Sequence, residues 1–130
     1  MPVLRGMKTL TQIVILSLLL VPNVFAKRPA PPAISSIRTD TAMISVPHFP
    51  EGFRKQNGGF VEARDPKTKE LLWRVQIYET VYEDELEKDV QDIFIKSITL
   101  KKSHNLLILI DEIERVFVLN LESKAVTRVV

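Results

Sequence analysis

Cysteine is absent from all 130 residues. Its absence excludes a disulfide framework, a thiol nucleophile, thiolate metal ligation and a lipid anchor attached through a thiol. Glycine is scarce: there are four, and only Gly58 and Gly59 are adjacent. Neither a phosphate-cradling loop nor a dinucleotide fingerprint can be built from them. The two histidines, His48 and His104, sit in separate expected loops. A metal centre needs three or four ligands, often at paired short spacing, so no metal is expected. No G-x-S-x-G elbow occurs, and no cofactor is expected. No apolar run reaches the roughly 20 residues that span a bilayer.

What the chain does have is a leader. Arg5 and Lys8 precede an apolar run from Ile13 to Val21, broken only by Ser17. Pro22 and Asn23 end the run, and Val24-Phe25-Ala26 offers small residues to a signal peptidase. Charge, short apolar stretch and small-x-small site in that order describe a signal peptide over residues 1–26, cut after Ala26. An uncleaved membrane anchor is the rival reading. Met7-Lys8-Thr9 before the same run would make a compact signal by itself, so Met7 is an alternative start.

Removing the leader changes the electrostatics. The whole chain has 18 basic and 16 acidic residues. Without Arg5 and Lys8 there are 16 of each, so the exported part is formally neutral. A neutral domain has no electrostatic reason to seek nucleic acid. Its membrane contact would run only through the signal. The 104 residues left from 130 suffice for one domain, and a cysteine-free exported domain suits the bacterial periplasm or medium.

Residues 27–47 open with KRPAPPA, whose three prolines favour an extended linker, expected to be partly disordered. Met43 to Val46 could form an edge strand. Residues 48–130 are expected to form the β domain. Val61 and Ala63 alternate with Phe60, Glu62 and Arg64. Leu71, Trp73, Val75 and Ile77 alternate with Leu72, Arg74, Gln76 and Tyr78, which puts the odd-numbered set on a buried face. Thr80 and Glu83 have capping-box spacing, and Tyr82, Leu86 and Val90 recur every four residues. They predict a short amphipathic helix over about 81–91. Ile93–Leu100, Leu106–Ile110, Val116–Leu121 and Ala125–Val130 are expected strands. Leu106–Ile110 is apolar on both faces, so something should cover each side, with the helix as the second cover. The fold class is mainly β: a small antiparallel sheet of about 5–7 strands with blade-like hairpins and one short helix.

One turn recurs. Asp65-Pro66-Lys67-Thr68-Lys69-Glu70-Leu71 aligns with Asn120-Leu121-Glu122-Ser123-Lys124-Ala125-Val126. Each has an Asx residue, a hydroxyl residue three positions on, then Lys where a left-handed residue would close a hairpin. With its flanks the first copy reads GGFVEARDPKTKELLWRV. It resembles the outer hairpin of a quinoprotein-type β-propeller repeat, A-x-D-x-x-T-G-x-x-x-W. Ala63, Asp65, Thr68 and Trp73 fill the matching positions, and Lys69 replaces the usual Gly. The resemblance implies a structural motif in which Trp73 docks between neighbouring blades. It implies neither the quinone nor dehydrogenase activity. A propeller needs at least four blades, which 104 residues cannot supply. The stretch from Tyr78 through Phe94 also resembles small exported bacterial proteins.

Candidate chemistry is sparse. Glu79 to Asp92 holds seven acids and one base, with no D-x-[DN]-x-[DN]-G calcium loop. Glu83, Asp84 and Glu87 form a candidate surface for a basic partner. Tyr78 and Tyr82 are expected to pack together between helix and sheet. The expectation is an exported, non-enzymatic binding or scaffold domain of the bacterial envelope, with room for a protein partner. Its rivals are a subunit joining a larger β assembly by edge pairing, and a hydrolase using two carboxylates.

Overall fold

The computed structural model describes residues 29–52 and 55–130. The expected signal peptide, its cleavage point and the start of the linker lie outside those residues. Eight strands run in chain order: β1 (Ile37–Arg38), β2 (Met43–Ser45), β3 (Phe60–Arg64), β4 (Leu71–Gln76), β5 (Ile95–Lys101), β6 (Leu106–Asp111), β7 (Val116–Asn120) and β8 (Val126–Arg128). They form two four-stranded antiparallel sheets rather than one, β1-β2-β3-β4 and β5-β6-β7-β8. Each sheet is a meander whose neighbours in sequence are neighbours in space. The mainly β class therefore holds, with the strands divided between two sheets. Two of the eight, β1 and β2, come from the 27–47 stretch expected as a linker.

The core lies between the sheets. Ile44, Val61 and Ile77 of the first half meet Leu107, Leu109, Phe117 and Leu119 of the second. Leu107, Leu109 and Leu119 are fully enclosed. Alternation explains the second sheet: Leu107, Leu109 and Asp111 of β6 are buried, while Leu106, Ile108 and Ile110 are only half-buried. Leu107 pairs with Leu119 and Leu109 with Phe117, so one apolar row faces the first sheet.

The same alternation breaks in β4. Ala63 pairs with Trp73 but Arg64 pairs with Leu71, so Leu72 has no partner and forms a bulge. The bulge shifts the pleat by one residue. Leu71, expected on the buried face, is exposed together with Leu72, while Trp73 and Val75 stay half-buried against the core and Ile77 is buried.

The short helix, α1, covers only Lys88–Gln91 rather than 81–91, and none of its residues is buried. Of the expected stripe, Leu86 and Val90 are exposed, and only Tyr82 is half-buried, held by polar bonds rather than by packing as part of a helix. Tertiary bonds hold this segment in another path. The Thr80 amide donates to the Gln56 Oε1 at 2.7 Å, and the Thr80 hydroxyl is buried without a partner instead of capping a helix. The Glu83 amide donates to Gln91 Oε1, whose Nε2 serves the carbonyls of Glu83, Leu86 and Glu87. No helix among the described residues is long and apolar enough to cross a membrane.

Candidate functional site

The two related turns are built alike. Asp65 Oδ1 accepts the amides of Lys67 and Thr68 at 2.8 and 2.9 Å. Asn120 Oδ1 accepts those of Glu122 and Ser123 at 2.9 and 3.0 Å. The Thr68 and Ser123 hydroxyls accept the amides two residues on. Lys69 and Lys124 close the turns in the left-handed region, at φ 66° and 64°. Each turn joins the third strand of its sheet to the fourth. The backbone amides that grip Asp65 hold its carboxyl below the usual carboxylate range.

The lysines differ in what their amines do. Lys69 Nζ donates to the Pro66 carbonyl at 3.0 Å. Lys124 Nζ donates to the Leu121 carbonyl and lies 4.7 Å from the centroid of the Trp73 ring. Trp73 thus faces the second sheet and is capped by a cation from that sheet's own turn. Ala63, opposite Trp73 in the ladder, is fully buried. The four motif residues are therefore brought to one corner of the molecule.

At that corner a cleft of about 450 Å³ opens between the sheets. Ile44, Trp73, Leu100 and Leu121 line it with apolar surface, and Arg38, Asp40, Lys102 and Lys124 bring charge to it. Arg38, Asp40 and Lys102 are exposed. Sequence reasoning found Trp73 alone. Arg38, Ile44 and Leu100 come from strands β1, β2 and β5, Asp40 and Lys102 from the connections that follow β1 and β5, and Leu121 and Lys124 from the recurring turn, which as a sequence pattern did not point to a cleft.

The opposite end is closed by polar bonds. Gln56 is buried, and its Nε2 donates to the Gly58 and Tyr78 carbonyls. The Tyr82 hydroxyl donates to Asp92 Oδ1 at 2.5 Å and accepts the Asn57 amide. Asn57 Nδ2 donates to the other oxygen of Asp92. Burial, with the Asp92 bond second, pushes the Tyr82 hydroxyl up to about 12. Tyr78 does not stack on Tyr82 as expected. Its ring lies 5.4 Å from that of Phe117 and under the Arg115 guanidinium. Burial raises its hydroxyl far above the ordinary range.

The acids divide by role. Glu83, Asp84 and Glu87 are exposed on the loop that Gln91 closes. The buried carboxylates are all engaged: Glu62 by Arg74 and Arg64, Asp111 by Arg115 at 2.6 Å, and Asp92 by Tyr82 and Asn57. Among the described residues no three His, Asp or Glu side chains gather to hold a metal ion. His48 Nε2 lies 3.1 Å from the Pro32 carbonyl, and His104 is exposed beside Ser103.

The outer face of the second sheet carries a row of aliphatic side chains. Ile108 pairs with Val118 and Ile110 with Val116, and Leu106 extends the row. All five are half-buried and none belongs to the core or packs against it. The expected cover, the helix, does not reach them. No family model, curated protein or solved structure matches this chain.

Proposed function

We propose that this chain is an exported, non-enzymatic binding or scaffold domain of the bacterial envelope, which works by packing the open face of its second sheet on a sheet of another polypeptide. The leader and the lack of cysteine support the export and the compartment. One observation carries the rest: Leu106, Ile108, Ile110, Val116 and Val118 make a continuous apolar row on a pleated surface, each only half-buried and none in the core or packed against it. Aliphatic side chains in such a row lose contact with water only when a second layer packs on them, and a flat sheet face suits another sheet.

The strand edges favour face packing over edge pairing. The outer strands β1 and β8 are two and three residues long. The other two edges, β4 and β5, carry bulges at Leu72 and Lys96. Short and bulged edges resist addition of a further strand. The two-carboxylate hydrolase has no comparable support, because Glu62, Asp92 and Asp111 are each held by a structural partner.

Affinity capture from envelope extracts tests the proposal. The native protein should retain a partner, whether another protein or a second copy, that Ile108→Lys with Val118→Lys releases. Equal capture by both forms would remove the face from the account.

A further inference from the structure

We propose that the cleft between the sheets binds a small organic anion, with one carboxylate head and an apolar body. The charge and shape of the cleft point the same way. Its floor is apolar, made by Trp73, Leu100 and Leu121. Its mouth carries Arg38 and Lys102, which make no ion pair among the described residues, and Lys124 on the Trp73 ring. Asp40 is the one acid there, so the lining has an excess of two positive charges.

That combination selects against the simpler ligands. A bare inorganic anion would leave the indole and the leucines in water. A neutral apolar molecule would leave two cations without counter-charge. A ligand with both parts satisfies both, with its head on Arg38 and Lys102 and its body on Trp73. The volume of about 450 Å³ falls in the range of roughly 300–1,000 Å³ typical of small-molecule sites. The Arg38 guanidinium is suited to a planar carboxylate, which it can grip with two parallel N–H groups. The site lies at a corner of the molecule and uses none of the five residues of the open sheet face, so the two proposals stand or fall separately.

Trp73 is the sole tryptophan, so its fluorescence reports directly on the cleft. The protein, purified in the form in which cells hold it, is titrated with octanoate, with octanamide as the neutral isostere and with acetate as the head alone. Octanoate should give a saturable change, and octanamide and acetate should each bind roughly tenfold more weakly or worse. Arg38→Gln and Lys102→Gln, both at exposed positions, should each weaken octanoate by about tenfold, read by calorimetry as well as fluorescence. No saturable signal, equal binding of octanamide, or variants that bind octanoate as well as the native protein would overturn the proposal.

Discussion

Lys124 Nζ sits 4.7 Å from the centre of the Trp73 ring, so the turn of one sheet is fastened to the last strand of the other. The contact links the two halves of the chain at the corner where the cleft opens. It also separates the roles of two lysines that occupy equivalent turn positions.

Truncating Trp73 should be costly. Trp73→Ala is expected to lower unfolding stability by about 2–4 kcal/mol, less than for an enclosed aromatic because the ring is half-buried. Lys124→Ala should cost only about 0.5–1 kcal/mol, the usual worth of a cation–ring contact at the surface. Denaturant melts of the two single variants and the double variant measure the coupling. Additive losses would show that the lysine and the ring do not interact.

The paired turns give a second prediction. A left-handed residue other than glycine carries a backbone penalty of about 1–2 kcal/mol, partly offset by the entropy glycine loses on folding. Lys69→Gly should therefore stabilise by about 0.5–1 kcal/mol. Lys124→Gly should gain nothing net, because it also gives up the contact with Trp73. Thermal melts compare them, and an equal gain in both would assign Lys124 no tertiary role.

Gly59 has φ 78°, and a Cβ there would lie 2.7 Å from Gln56 Nε2 and 2.9 Å from the Tyr78 ring. Gly59→Ala should destabilise by about 2–4 kcal/mol, since it combines backbone strain with a clash against buried groups. A melt within about 0.5 kcal/mol of the native one would mean that Gln56 and Tyr78 are not held as described.

Alkali should weaken the fold through Tyr82. Its hydroxyl is raised from 10.0 to about 12, so the folded state keeps a proton that the unfolded state has lost. The stability that rests on a protonated Tyr82, through its burial first and its bond to Asp92 second, is then full below pH 10 and falls as pH rises towards about 12. Tyr78 is raised in the same sense, chiefly by burial. Denaturant melts taken at rising alkaline pH, with Tyr82→Phe as the control, should show a smaller loss of stability in the variant. An unchanged profile would place the alkaline loss elsewhere.

Much of the fold was legible where one residue's chemistry dictates its neighbours' backbone. Asp65 and Asn120 accept amides two and three residues on, so both turns could be read, including the left-handed lysines. The strands from 95 to 120 followed from short apolar runs set between polar turns, although their inward and outward faces did not show in the sequence, since Leu106 to Ile110 is apolar throughout. What escaped reading depended on contacts between distant residues. The bulge at Leu72 reverses the face of Leu71 with no local marker. The helix expected over 81–91 shrank because Asn57 and Asp92 claim the Tyr82 hydroxyl and Gln56 claims the Thr80 amide. The cleft was half legible: the tryptophan was marked by its motif, whereas Arg38 at the end of β1 and Lys102 after β5 are ordinary surface cations until the fold brings them to Trp73.

The open face is the centre of the functional account, and crosslinking in the intact cell tests it most directly. A photoreactive residue placed at Ile108 should give a discrete adduct in the envelope, and one placed at the exposed turn residue Lys67 should not. Adducts of equal yield from both positions, or none from position 108, would contradict the account.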